Sequence, residues 1–141
     1  MGFAPVHDHD HDRLISLMEG VEDIPDVVLT EGLEWNWNSF SDYLNILDNK
    51  GFDMDIGAQI PHGALRLYVM GQDSQKREAT DDEIKQMSEI VETAMQQGAL
   101  GVSSSYVDVD ENLDPVPSRF SCKKEKIALA KAATKTGRGV W

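Results

Sequence analysis

The chain has 141 residues, of which 40% are apolar and 27% are charged, with a formal net charge of −12. This balance is typical of one globular domain with a modest core, and the negative charge makes nucleic acid a poor partner because a phosphate backbone would be repelled. No apolar run approaches the length of a membrane-spanning helix, no secretory signal begins the chain, and the lone Cys122 excludes an internal disulfide framework. We therefore expect one cytoplasmic domain over residues 1–141.

Alternating histidines and aspartates open the chain at residues 7–12, a segment called here the His-Asp tract. Apolar residues at helical spacing follow the tract and predict a helix that ends at Gly20. Residues 21–37 contain proline, glycine and two tryptophans, and their pattern predicts a loop with at most a short turn.

A second helix and a first strand are predicted between residues 39 and 61. Ser39 can cap this helix, Asp42 lies three residues further on, and Gly51 follows the helix end. From residue 54 to residue 60, apolar and polar residues alternate as they do in a strand, and Pro61 stops the pattern.

The second half of the chain alternates helices and short apolar segments. A capping box at residues 80–83 begins a helix to about Gln97, and an apolar run at 99–103 is typical of a buried parallel strand. After a polar loop, a helix capped by Ser121 is predicted to run to about Thr136, and residues 139–141 resemble the start of another strand.

This order of elements predicts an α/β fold built from βαβ units. Residues 54–60 and 100–104 are expected to be neighbouring parallel strands joined by the helix from about 81 to 97. So few strands leave sheet edges unpaired, which compact domains usually avoid. The pattern therefore favours a segment of a larger α/β protein.

The His-Asp tract is the first candidate for chemistry. His-x-His on a strand would point two imidazoles the same way, as zinc requires, and in a helix His7 and His11 would share one face. The tract has no hydrophobic alternation around it, and the alternative is a solvated helix start with adventitious metal affinity.

Polar residues that follow predicted strands are the second group of candidates. His62 and Arg66 come directly after the first strand and are able to hold a carboxylate, or else to serve as a capping histidine and a structural arginine. Ser103 and Ser104 follow the next strand, without the glycines of a nucleophile elbow, and suit pocket lining or strand termination. Strand ends of a parallel sheet converge, so we expect all four on one rim. Cys122 lacks a nearby histidine base and is interpreted as incidental.

Several motifs in this order resemble the N-acyl-D-amino-acid deacylase (D-aminoacylase) branch of the amidohydrolase superfamily. They are, in chain order, residues 13–25 (RLISLMEGVEDIP), 62–71 (HGALRLYVMG), 77–80 (REAT), 98–103 (GALGVS), 115–120 (PVPSRF) and 137–140 (GRGV). The resemblance covers nearly the whole chain.

The resemblance implies a (β/α)8 barrel with a small β-domain and a zinc site at the carboxyl ends of the strands. Zinc there activates a water that attacks the amide carbon of an N-acyl-D-amino acid. The chain would be a partial TIM-barrel segment, from the end of strand 2 to the start of strand 5. The ligands that the resemblance implies are a His-x-His on the first strand, a cysteine on the second, histidines on the fifth and sixth, and an aspartate on the eighth. The resemblance places the His-x-His upstream of residue 1, Met1 at the cysteine position and the next ligand a few residues beyond Trp141, so that no metal ligand of the family would lie within the chain. His62, Arg66, Ser103 and Ser104 would face the substrate pocket without binding metal.

Three hypotheses follow from these observations. The first is a fragment of a zinc-dependent amidohydrolase that is inactive by itself, with no catalytic residue and no specific metal site of its own. The second is a non-catalytic α/β domain that binds another protein or self-associates through its exposed sheet edges. The third is a metal-binding protein that uses the His-Asp tract.

Overall fold

The computed structural model describes residues 2–22 and 24–141, so Met1, which the resemblance places at a ligand-cysteine position, lies outside the described residues. Helices dominate this part of the chain, and two short strands lie among them. The α-helices are α1 (His11–Glu22), α2 (Asp26–Gly32), α3 (Phe40–Lys50), α4 (His62–Met70), α5 (Asp81–Gln96) and α6 (Lys123–Thr134); the strands are β1 (Ile60–Pro61) and β2 (Val102–Ser103). Short 3-10 helices cover Asp8–Asp10, Gly71–Gln75 and Pro117–Phe120. None of these helices is long and apolar enough to cross a membrane.

The two strands are parallel, as the sequence predicts. Ile60 pairs with Val102 and Pro61 with Ser103, and a parallel bridge from Gly101 to Val140 begins a third segment on the other side of β2. The predicted strand at 54–60 is wrong in extent, because within it only Ile60 belongs to β1. Residues 51–57 are exposed, so the alternating pattern there has no sheet to pack against.

The capped helices form where their sequence signals lie. The Ser39 hydroxyl accepts a hydrogen bond from the Asp42 N–H, and the Thr80 hydroxyl accepts one from the Glu83 N–H. In both helices the acidic side chain in turn accepts a hydrogen bond from the backbone N–H of the capping residue. These boxes satisfy amide groups that a helix start leaves free. The last helix differs slightly from the prediction, since Cys122 rather than Ser121 is its N-cap, and its side chain makes no capping bond.

Helices α2 and α4 were not predicted from the sequence. Helix α4 follows β1 without a loop, and all its residues except Tyr68 and Val69 are buried. A helix that is apolar around most of its circumference lacks the amphipathic pattern by which helices are predicted from sequence. Helix α2 has only seven residues and lies in the stretch predicted to be loop.

Helix α1 passes through Gly20 and ends at Glu22, so the predicted stop at Gly20 is wrong. A Cβ on Gly20 would lie 2.5 Å from the carbonyl carbon of Asp110. The glycine is therefore needed for close approach of a loop. Arg13 of the same helix donates to Oδ2 of Asp110 at 3.1 Å and holds that loop in place.

One main core joins these elements. It lies between α4, α5, α6 and the strands, and α1 closes one side. Its fully buried members include Leu14, Leu17, Ile60, Leu65, Met87, Val91, Met95, Val102 and Leu129. Burying large apolar side chains of this kind contributes roughly 1.5–3 kcal/mol each before the entropy cost of folding is counted. This packing fixes α4 and α6 against the carboxyl ends of the strands.

Candidate functional site at the carboxyl ends of the strands

The parallel register brings two of the predicted site residues together. Pro61 and Ser103 are paired, so the next residues, His62 and Ser104, leave the sheet at the same end. His62 is the first residue of α4 and is fully buried, whereas Ser104 is exposed. Nδ1 of His62 lies 3.0 Å from Oγ of Ser104.

Glu125, in the first turn of α6, connects His62 to Arg66. One carboxylate oxygen lies 2.7 Å from Nε2 of His62, and the other accepts a hydrogen bond from Nη1 of Arg66. All three side chains have no exposed surface, and they are called here the buried network. The two ring nitrogens of His62 and both oxygens of Glu125 are thus engaged.

Each of the three guanidinium nitrogens of Arg66 donates at least one hydrogen bond. Besides the bond to Glu125, Nη2 donates to the carbonyl of Arg77 at 2.8 Å and to that of Ser74 at 3.2 Å, and Nε donates to Ser74 at 3.4 Å. Arg66 therefore ties α4 to the segment that leads into α5. Because its side chain has no exposed surface, Arg66 presents no N–H group to solvent at the rim.

Burial and charge set the protonation states of the network. Burial lowers the pKa of His62 below 6.5, although the hydrogen bond and charge of Glu125 act in the opposite direction. Burial acts to raise the pKa of Glu125, but hydrogen bonds from His62 and Arg66 and the charge of Arg66 outweigh it, so this pKa lies below its ordinary value. At neutral pH the network therefore holds a neutral imidazole, a carboxylate and a guanidinium.

Sequence analysis missed Glu125, which lies among three lysines and looks like part of a solvated helix face. The available signal was indirect. His62 and Arg66 are four residues apart on a buried helix, and both need an acceptor. The sequence does not show which of the 25 acidic residues supplies it.

The other candidate residues of the rim and of α6 are not members of the buried network. Ser103 ends β2 and is half-buried. Cys122 is half-buried at the start of α6. The roles of His62, Arg66, Ser103 and Ser104 toward a substrate stay predictions.

The histidines of the His-Asp tract face different neighbours. The His7 ring stacks on the Tyr68 ring, with 3.9 Å between ring centroids, and Nε2 of His7 lies 3.1 Å from the carbonyl oxygen of Tyr68. The His11 ring stacks on the Trp35 ring, with 4.1 Å between ring centroids. His9 is exposed and stacks against His7. His7 and Tyr68 line a cleft of about 650 Å³ between α3, α4 and α5, and the rim residues take no part in it.

The residues present do not fit a catalytic metal. Among residues 2–22 and 24–141, no three or more histidine, cysteine, aspartate or glutamate side chains converge as a metal site requires. A catalytic zinc generally needs three protein ligands and an open position for water. His62, whose two ring nitrogens already contact Glu125 and Ser104, has no free nitrogen to offer.

Comparison with known proteins identifies the family. A model of the amidohydrolase family matches residues 3–135. The D-aminoacylase of Alcaligenes xylosoxydans xylosoxydans is 35% identical over 77 residues, which are 55% of this chain and 16% of that protein.

Solved structures of D-aminoacylase are similar as well. Two of them, one a variant in complex with copper chloride and one from a study of the enzyme's binuclear metal centre, align with a TM-score of 0.65 at 28% identity and cover 81% of this chain and 22% of theirs. A third aligns with a TM-score of 0.65 over 97% of this chain and 32% of its own, at 24% identity, and supports the fold alone. The chain thus spans less than a third of each relative's length. The resemblance predicted from the motifs is confirmed: the chain is a D-aminoacylase-like member of the amidohydrolase family.

Proposed function

We propose that the chain forms part of a metal-dependent amidohydrolase that hydrolyses the amide bond of N-acyl-D-amino acids. The family match over residues 3–135 is the observation that carries this proposal. The likeness to D-aminoacylase structures at 28% identity over 81% of the chain supports the substrate class.

Within that enzyme, the chain would supply a stretch of a (β/α)8 barrel, from the end of the second strand to the start of the fifth. The parallel pairing of β1 with β2 and the parallel bridge from Gly101 to Val140 support consecutive barrel strands. Helices α4 and α5 connect β1 to β2, and α6 connects β2 to Val140, as in repeated βα units.

The rim at the carboxyl ends of these strands would form one wall of the substrate pocket. Ser103 and Ser104 lie at that end of β2, with His62 and Arg66 behind them. In barrel enzymes the active site is built from loops at this end of the strands. Ser104, the exposed member of the set, is the one placed to touch a small acyl-amino-acid substrate.

We further propose that the metal is zinc and that other segments of the enzyme supply its ligands, so that the 141-residue chain alone is inactive. This proposal is supported by the poor fit of the described residues to a metal site. A flexible zinc ion on the His-Asp tract would not replace the missing site, since a misplacement of even about 1 Å can cost on the order of a hundredfold in rate.

The test compares two proteins in hydrolysis of several N-acetyl-D-amino acids after zinc loading. One is the 141-residue chain, and the other is a longer polypeptide that joins it to the His-x-His segment and the histidine segments of the family. We expect turnover only by the longer protein. Turnover by the short chain that is lost when His7, His9 and His11 are changed to Ala would contradict the proposal, and so would an inactive longer protein that is folded and metal-loaded.

A second candidate function, self-association, is favoured by exposed apolar side chains around the small sheet. Met54 and Ile56 precede β1, Leu100 precedes β2, and Trp141 follows the bridged Val140; all are exposed. Light scattering on the 141-residue chain distinguishes the candidates. A stable dimer that dissociates when Met54 and Ile56 are changed to Ser favours self-association, and a monomer favours the barrel segment.

A further inference from the structure

Ser104, His62 and Glu125 are connected in the way that a nucleophile, a base and an orienting acid are connected in serine hydrolases. Oγ of Ser104 lies 3.0 Å from one ring nitrogen of His62, and Oε1 of Glu125 lies 2.7 Å from the other. Such sites are recognised by geometry rather than by sequence order. The geometry alone would make Ser104 a nucleophile.

The charge balance around His62 argues against that role. A base that accepts the serine proton becomes an imidazolium, which the acid must stabilise. Here the carboxylate of Glu125 already compensates the guanidinium of Arg66. A protonated His62 would leave one uncompensated positive charge among three side chains with no exposed surface, and Lys126 lies near enough to add to it. An unpaired charge is strongly disfavoured in such a buried place, so His62 stays neutral.

Neutrality fixes the direction of both hydrogen bonds. An ionised carboxylate only accepts hydrogen bonds, so Nε2 of His62 carries the hydrogen and donates it to Glu125. A neutral imidazole has one hydrogen, so Nδ1 carries a lone pair. Ser104 must then donate its hydroxyl hydrogen to Nδ1.

We propose that Glu125 is a positioning residue that sets the tautomer of His62 and thereby makes Ser104 a pure hydrogen-bond acceptor at the rim. With its hydrogen committed to His62, the exposed hydroxyl offers only lone pairs to a ligand. An N–H group finds a partner there, and a carbonyl or carboxylate oxygen meets repulsion. Arg66 is engaged with Glu125, Ser74 and Arg77, so it does not reverse this preference.

The ligand group that fits is a neutral amide N–H. If the proposed function holds, this group is the amide of the N-acyl amino acid, and this identification rests on that function. Ser104 would then hold the acyl-amino-acid by the bond that is to be hydrolysed, and an ester-linked analogue without the N–H would lose the contact.

The tautomer is tested by ¹⁵N NMR of the imidazoles in the 141-residue chain. The four histidines are assigned from the variants His7→Ala, His9→Ala and His11→Ala, since the remaining signal is that of His62. We expect His62 to be neutral and protonated on Nε2 at pH 7. In Ser104→Ala the Nδ1 resonance should move downfield as its donor disappears, whereas Ser103→Ala should leave it in place.

Glu125→Gln tests the positioning role directly. A glutamine amide offers either an oxygen or an N–H to Nε2, so the enforced tautomer should be lost and both imidazole forms should appear. A purely structural role would alter stability but leave the tautomer unchanged. If this variant fails to fold, the wild-type tautomer and the Ser104→Ala shift still decide the proposal. An Nδ1–H tautomer or an imidazolium in the wild-type chain would overturn it.

Two further measurements examine Ser104 itself. After incubation with p-nitrophenyl acetate, mass spectrometry should detect no acetylation of Ser104. Acetylation of Oγ would require His62 to take up the hydroxyl proton of Ser104. Titration with N-acetyl-D-leucine should shift the Ser104 amide signal more than titration with the O-acetyl ester of the matching D-2-hydroxy acid. Acetyl-Ser104, equal shifts with both ligands, or no shift with either would contradict the proposal. The tautomer and acetylation measurements use no proposed substrate, so they are separate from the test of the proposed function, whereas the titration rests on that function.

Discussion

The His-Asp tract and the buried network contain similar side chains in opposite settings. The tract holds three histidines and three aspartates within six residues, yet His7 and His11 stack on different aromatic rings and His9 faces solvent. The network gathers His62, Arg66 and Glu125 from two helices, and its members are 59 and 63 residues apart where they meet. A high density of ionisable residues in the sequence therefore did not mark the place where such side chains meet in a network; the ends of the parallel strands did.

The largest effect should come from removing the carboxylate of the buried network. Glu125→Ala leaves Arg66 as an uncompensated buried cation and deprives His62 of its acceptor. Breaking a buried pair in this way typically costs about 3–5 kcal/mol. Urea unfolding measures the loss, with the exposed Glu78→Ala as the matched control that should change stability by less than about 0.5 kcal/mol. Similar losses of stability in the two variants would show that the buried carboxylate of Glu125 contributes no more to stability than an exposed one.

A smaller loss is expected from Gly20→Ala, in the helix that the tract begins. Alanine is favoured over glycine in a helix by roughly 1 kcal/mol. The added Cβ would, however, meet the backbone of Asp110 and Glu111 at 2.5–2.8 Å, so α1 or the loop must shift. We expect a net loss of about 1–3 kcal/mol in thermal unfolding, as for other overpacked sites.

The matched control for this change is Gly32→Ala at the end of α2, where an added Cβ meets nothing within 4 Å. That variant should be neutral or slightly stabilising. A stabilised Gly20→Ala protein would show that the loop around Asp110 does not pack on α1 as described.

The dependence of the free energy of unfolding on pH, at acidic pH, should reflect the protonation of His62. Its folded-state pKa lies below 6.5, so the unfolded chain binds more protons than the folded chain once the pH falls below that value. The free energy of unfolding should therefore decrease from about pH 6.5 downward, and Glu125, whose pKa is also lowered, should add to the decrease at lower pH, near and below about 4.5. In His62→Gln the decrease between pH 6.5 and 5 should be smaller. An unchanged slope in that variant would show that His62 is not held neutral.

The smallest effect should come from the tract. The His9 side chain is 79% exposed, so His9→Ala should change the free energy of unfolding by less than about 0.5 kcal/mol. Denaturant titration at pH 7 measures this difference. A loss above about 1 kcal/mol would show that the tract contributes to the fold as the buried network does.

Local signals were strong enough to predict much of the fold. The capping boxes at Ser39 and Thr80 located α3 and α5, because their reciprocal hydrogen bonds need only neighbours in sequence. The parallel pairing of β1 with β2 followed from the alternation of helices and strands. The meeting of His62 with Ser104 followed from that pairing, since parallel strands end on the same side.

Features that depend on tertiary contacts were not predictable. Helix α4 is buried on nearly every side, so its sequence lacks helical periodicity. Residues 54–57 alternate like a strand, but all four are exposed, so the pattern has no buried face to pack against the core. Glu125 lies among lysines in the sequence, and only the packing of α6 on α5 and β2 turns its side chain inward. The sequence therefore did not identify Glu125 as the residue that connects His62 with Arg66, and the structure did.

A double-mutant cycle on Arg66 and Glu125 tests the central claim most directly, namely that the predicted site residues are held by a mutually compensated buried pair. The stabilities of Arg66→Met, Glu125→Met and the double variant are compared with that of the wild type by denaturant unfolding. Each single change leaves one buried charge alone, whereas the double change removes both, so we expect the double variant to be more stable than either single variant. Losses that simply add, to within about 0.5 kcal/mol, would contradict the account.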